Sequence, residues 1–207
     1  EIGVKLGADV PFCIRKGTML AEGIGEILTP LTSLTGIPVL LIKPNISIST
    51  PYVYKHLKLN ELDYHPDNKA VISYIKDKNI KKIAASLSNV LETVTIPENP
   101  IIAELKRYLT EIGAIGSLMS GSGPTTFGIF KNMETAKKAY AFCEEREKRK
   151  REKSPPGKSK QGKRIKHGIT CFPIAPVSIY KNGNWGIVQL IFASYTDLSS
   201  GSILINH

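Results

Sequence analysis

A chain of 207 residues, 42% hydrophobic and 22% charged, can bury a sizeable core as one large domain or two small ones. No apolar run approaches the roughly 18–20 residues of a membrane-spanning helix, and residues 185–193, the longest candidate, include Gln189. The net charge of +10 is unevenly placed. Residues 144–166 hold eleven Lys and Arg against four Glu, a surplus of +7, and everything else contributes only +3. A near-neutral domain with one basic stretch does not read as a nucleic-acid-binding surface. The three cysteines, Cys13, Cys143 and Cys171, fit no zinc spacing and no disulfide framework, so a reducing, cytoplasmic setting is expected. His56, His65, His167 and His207 have no metal-ligand spacing, and no metal site is expected from them.

In chain order, residues 1–6 read as the last turn of a helix with Gly7 as its C-cap. With no initiator Met and no signal peptide ahead of that turn, the chain reads as a fragment. Asp9 falls in a turn, and Pro11 pushes Val10 towards an extended conformation. Phe12-Cys13-Ile14, residues 18–21 and residues 27–29 are expected as short strands, punctuated by Gly17, Gly23 and Gly25. Val39 to Ile42 is a continuous apolar strand, central in a sheet. Thr50 before Pro51 predicts a helix start, with Thr50 as N-cap. Asp67 is placed to cap a helix carrying Val71, Ile72 and Ile75, and residues 81–91 read as another. Pro100 opens an amphipathic helix with Ile101, Leu105, Tyr108, Leu109 and Ile112 on one side, and Gly113 ends it. Strands at 115–119 and 125–130 follow, then a helix from Met133 towards Glu147. This order predicts an α+β sandwich with helices on one face of an antiparallel sheet.

Between the last two strands lies Ser120-Gly121-Ser122-Gly123-Pro124. Such a loop has little side-chain bulk, so its backbone N–H groups can approach an anion or another loop closely. By itself it is also what an ordinary strand–turn–strand looks like. Its companion is the upstream segment Leu6-Gly7-Ala8-Asp9-Val10-Pro11-Phe12. Between them come Ala21-Glu22-Gly23-Ile24-Gly25-Glu26, Ser49-Thr50-Pro51 and Asn89-Val90-Leu91-Glu92.

In this order these segments resemble the GHMP small-molecule kinases, in particular the branch that phosphorylates a cytidine-diphosphate sugar alcohol. The resemblance runs from about residue 1 to about residue 142. It implies transfer of the γ-phosphoryl group of ATP, with Mg²⁺ on the phosphates, to a tertiary hydroxyl, a step of the non-mevalonate route to isoprenoid precursors. Asp9 matches the family's catalytic aspartate, whose carboxylate can take the hydroxyl proton; taken alone it is an Asx-turn residue. Thr50 matches a position close to substrate and nucleotide, and its role as a helix cap would suffice without that. Gly121, Ser122 and Gly123 correspond to the loop that supports the main phosphate-binding loop. The fold implied is a ferredoxin-like α/β sandwich preceded by the end of an amino-terminal kinase domain.

The departures are as informative. The glycine-rich phosphate loop and the first motif with its lysine are missing from this sequence and would precede Glu1, so this chain by itself is expected not to phosphorylate anything. The expected organisation is an amino-terminal-domain remnant at 1–35, the carboxy-terminal domain at 36–142, a basic disordered linker at 143–166 and an unassigned tail at 167–207. That tail, with short strands at 170–172 and 186–192, reads either as a fused appendage or as a departure of the reading frame near residue 142, the second being preferred. Three alternatives stay open: a homoserine- or mevalonate-type kinase of the same family, a nucleic-acid-binding protein working through 146–166, and a non-catalytic interaction fragment. Oligomeric state is not readable from the sequence.

Overall fold

The strand Val39–Pro44 (β3) is apolar at four successive positions, and a strand of that kind needs cover on both faces. In the computed structural model, which describes residues 10–15, 17–23, 25–62, 67–152, 169–172, 178–182 and 187–191, it receives that cover. Ahead of it lie a one-and-a-half-turn helix Val10–Arg15 (α1) and the antiparallel pair Met19–Glu22 (β1) and Ile27–Pro30 (β2). After it come helices Thr50–His56 (α2), Asn68–Lys76 (α3), Ile80–Ala85 (α4), Glu92–Glu98 (α5) and Ile101–Glu111 (α6). Strands Gly116–Met119 (β4) and Thr126–Ile129 (β5), helix Met133–Glu152 (α7) and strand Ile169–Phe172 (β6) complete the main unit. Strands Ser178–Asn182 (β7) and Ile187–Ile191 (β8) form a separate antiparallel pair.

The main sheet has the order β4-β5-β3-β6, antiparallel throughout, with Leu41 opposite Phe127 on one side and Phe172 on the other. Read from β3, this is the split β-α-β-β-α-β arrangement with helical insertions. Leu40 and Ile42 pack with Leu105 and Leu109 of α6 and with Ala136, Ala139 and Cys143 of α7. Val39, Phe127 and Ile129 point the other way, onto Val71 and Ile75 of α3 and Ile83 and Ala84 of α4. Helices therefore cover both faces of the sheet, not one. Because successive side chains of a strand point to opposite faces, an apolar run without alternation requires this.

Several local expectations hold. Asp67 Oδ1 accepts from the Ala70 N–H at 3.0 Å and caps α3. Gly113, at φ +104°, closes the end of α6 in a conformation that only glycine adopts without strain. Others are corrected. Residues 12–14 are helical, because Phe12 is fully buried with Met19 and Ala21 and one turn of helix suffices to deliver it there. The single helix expected over 81–91 is broken between Ala85 and Glu92, where Asn89 turns inward. Leu34, just ahead of the boundary expected after residue 35, sits in the cluster beneath α3 and α4.

The basic stretch is the largest correction. The helix that reaches Phe142 continues to Glu152, so the linker expected from residue 143 does not begin there. Cys143 and Glu147 extend the buried stripe of Ala136 and Ala139 at helical spacing. Two pairs four residues apart lie on the solvent side, Lys138 with Glu134 and Arg149 with Glu145. The strand β6 then pairs with β3, so residues 169–172 extend the main sheet. Residues 153–168 lie outside the described residues. Among the described residues no helix is long and apolar enough to cross a membrane.

Tight backbone approach generates a prediction. A Cβ on Gly116 would stand 2.5 Å from the Ala84 carbonyl oxygen, and backbone cannot move aside as a flexible side chain can. Gly116→Ala is expected to separate β4 from α4 and lower stability by about 1–3 kcal/mol, measured as a shift in the urea midpoint at unchanged slope.

Candidate functional site

The glycine loop is built from below. Val53 of α2, Ile102 of α6, Met119 at the end of β4, and Val90 and Leu91 form a buried cluster directly under it. Asn89, almost fully buried, donates through Nδ2 to the carbonyls of Met119 at 3.0 Å and Gly121 at 2.8 Å, while its Oδ1 accepts from the Leu91 N–H. Glu92 accepts from the Met119 N–H at 2.8 Å through one oxygen and from Lys106 Nζ through the other. Thr95 Oγ1 donates to the Ser122 carbonyl at 3.3 Å. The break after α4 thus has a cause: the Asn89 amide supplies donors for loop carbonyls that no strand partner reaches.

The loop conformation depends on its glycines. Gly121 and Gly123 have φ of +55° and +91°, the Gly123–Pro124 bond is cis, and the Gly123 N–H donates to the Ser120 carbonyl at 2.9 Å. A Cβ on Gly123 would stand 2.7 Å from Met119 Sδ and 3.2 Å from Ile48 Cδ1.

Thr50 is brought to this loop from 72 residues away. Its Oγ1 lies 2.7 Å from Ser122 Oγ, at the surface. It does not cap the helix. Ser49 takes that position, with its Oγ accepting from the Tyr52 N–H at 3.4 Å, and Pro51 sits in the first turn. The shift by one residue frees the Thr50 hydroxyl for the loop. Beside it, the Tyr52 hydroxyl donates to Glu98 Oε1 at 2.8 Å, and its ring stacks on His56 at 3.9 Å between centroids. The hydrogen bond to Glu98 raises the Tyr52 pKa, helped by desolvation and by the carboxylate's charge.

Of the residues singled out in the sequence, Thr50, Gly121, Ser122 and Gly123 come together, and Asp9 lies outside the described residues. Asn89, Glu92 and Thr95 were missed as supports. Asn89 and Glu92 stand in a segment that carried the family resemblance, and an Asn just before the apolar Val90-Leu91 pair was the available signal. Chemically, the site presents two adjacent hydroxyls on a close-packed loop, a surface suited to donating hydrogen bonds to an anionic ligand. Among the described residues no group of His, Cys, Asp and Glu could hold a metal ion.

Residues 71–149 match the family model for the carboxy-terminal domain of GHMP kinases. The chain carries a GHMP kinase carboxy-terminal domain. It is 51% identical over 140 residues to the 4-diphosphocytidyl-2-C-methyl-D-erythritol kinases of Acetivibrio thermocellus and of Alkaliphilus metalliredigens, and 43% identical over 148 residues to that of Clostridium botulinum. These matches take in 68–72% of this chain, which spans about half the length of the curated relatives it matches (48–53%). A crystal structure of 4-(cytidine 5'-diphospho)-2C-methyl-D-erythritol kinase superposes with a TM-score of 0.55 at 26% identity, over 67% of this chain and 50% of that one. Homoserine kinase from Cytophaga hutchinsonii shares the fold, with a TM-score of 0.53 at 16% identity, over 80% of this chain and 47% of that one.

The loop should be sensitive to backbone shape and indifferent to a peripheral hydroxyl. Gly123→Val is expected to be destabilising by about 2 kcal/mol or more, since it meets both a positive φ and a short contact. Ser117→Ala, which removes a part-buried hydrogen bond to the Lys106 carbonyl, should cost about 1 kcal/mol or less. Asn89→Ala should fall with Gly123→Val, because it strands buried loop carbonyls. Thermal melts of the three variants decide the ranking.

Proposed function

We propose that this chain is the carboxy-terminal portion of an enzyme that transfers the γ-phosphoryl group of ATP to the hydroxyl of 4-diphosphocytidyl-2-C-methylerythritol, in isoprenoid precursor synthesis in the cytoplasm. The observation that carries this reading is the 51% identity to kinases of that name. The contact between Thr50 and Ser122 supports it, since it joins two segments of the resemblance in one surface.

In this reading Asp9 accepts the proton of the attacking hydroxyl, leaving an oxygen nucleophile for the γ-phosphorus. The Thr50 hydroxyl faces the bound ligands and is held in place by Ser122. Gly121, Ser122 and Gly123 support the nucleotide's phosphates through the neighbouring phosphate loop, and Asn89 and Thr95 fix their backbone. Mg²⁺ enters on the nucleotide, where it neutralises phosphate charge; the described side chains offer no cluster of ligands to hold it themselves. Positioning is most of what a phosphoryl-transfer enzyme contributes, and a loop pinned at three carbonyls serves that purpose.

The test needs the chain joined to an amino-terminal half that carries the phosphate loop and the lysine. With that half present, Asp9→Asn should keep the melting temperature and lose roughly 10²–10⁴-fold in turnover, the usual loss for one missing proton acceptor. Turnover within a few-fold of the parent would remove Asp9 from the mechanism. If the joined protein binds no cytidine diphosphate and turns over no cytidine-diphosphate sugar alcohol, the substrate assignment is wrong.

A further inference from the structure

Two of the three cysteines meet where the long helix crosses the last strand. Cys143 lies on α7 with no exposed surface, and Cys171 lies at the centre of β6, half-buried against the same cluster. Both are free thiols, and they share one packed cluster, with Cys171 against the group of buried residues that includes Cys143. Tyr108 packs against the same cluster, and the Arg146 guanidinium stacks 4.1 Å over its ring. Nothing in the phosphoryl-transfer reading uses this cluster, whose buried residues are separate from those beneath the glycine loop.

We propose that Cys143 and Cys171 form an oxidisable dithiol, which a small peroxide closes into a disulfide that staples β6 to α7. The Cys143 thiolate attacks one oxygen of the peroxide. The O–O bond breaks, one oxygen stays on sulfur as sulfenic acid, and the other leaves as water after taking up a proton. The Cys171 sulfur then attacks the Cys143 sulfur, the S–O bond breaks, and the Cys171 proton leaves with the hydroxyl as a second water. The dithiol loses two electrons and the peroxide gains two. The roles follow from the surroundings. The neighbouring Cys171 thiol, with help from Tyr108 and the Arg146 charge and against the effect of burial, holds the Cys143 thiol below the usual range, whereas the Cys143 sulfur and burial push Cys171 up. The bond ties an edge strand to the helix across 27 intervening residues, a span that restricts the unfolded chain considerably.

Reduced 207-residue chain treated with hydrogen peroxide at low millimolar concentration, then alkylated and digested, tests this by mass spectrometry. A peptide joining Cys143 to Cys171 is expected, reversible by dithiothreitol, absent from Cys143→Ser and Cys171→Ser, and retained in Cys13→Ser. The oxidised chain should melt about 5 °C or more above the reduced one. In urea beyond the unfolding midpoint the same cross-link should form several-fold more slowly, because the fold no longer holds the sulfurs together. Only sulfinic or sulfonic acid, a bridge to Cys13, cross-linked dimers, equal rates in urea, or an unchanged or lower melting temperature would each overturn the staple.

Discussion

A strand buried on both faces organises this molecule. Val39, Leu40 and Ile42 have no exposed surface, and each fully buried aliphatic side chain contributes about 1.5–3 kcal/mol relative to exposure. Cover on one face comes from α6 and α7, and on the other from α3 and α4. The backbone of β3 also has to be paired on both edges, and β5 and β6 supply that pairing. Without β6, one edge of β3 would lack a strand partner, which makes the contribution of residues 169–172 to this sheet structural.

The same requirement sets the position of the glycine loop. β4 and β5 must pair with each other and against β3 in one register, with Met119 opposite Thr126. The connection that results starts at Ser120, whose N–H donates to the Thr125 carbonyl. That leaves the carbonyls of Met119, Gly121 and Ser122 to be satisfied from outside the hairpin, and Asn89 and Thr95 do so. A loop whose carbonyls are held this way takes its shape from the protein's own side chains. The Ser122 hydroxyl rides on it, and the Thr50 hydroxyl meets it there from the start of α2.

Charge plays a smaller part than the composition suggests. The ion pairs of α7 and the pair between Arg107 and Glu111 lie at the surface, where each contributes only a few tenths of a kcal/mol. The pair between Lys106 and Glu92 is different, since both side chains are largely buried and Glu92 also accepts from the Met119 backbone. Its significance is positional: it joins α6 to the strand end from which the glycine loop departs.

The sequence by itself determined the segments whose signals are local. Asp67 before α3, Pro100 and Gly113 around α6, the apolar run of β3 and the pair of strands around the glycine loop all act through caps, turns and periodicity within a few residues. The family resemblance added Thr50 and the loop as parts of one site. Tertiary structure decided what depends on partners far along the chain. It placed helices on both faces of the sheet, moved the cap from Thr50 to Ser49, turned residues 12–14 into helix and carried α7 on to Glu152. Local composition made 144–152 look like a solvated basic run, yet Cys143 and Glu147 fall on the one helical stripe that faces the sheet. Asn89 is the clearest case. In sequence it is one polar residue in a helical stretch. Its role exists only because β4 ends within 3.0 Å of its amide, a contact across 30 residues that the neighbouring Val90-Leu91 pair hints at but cannot specify.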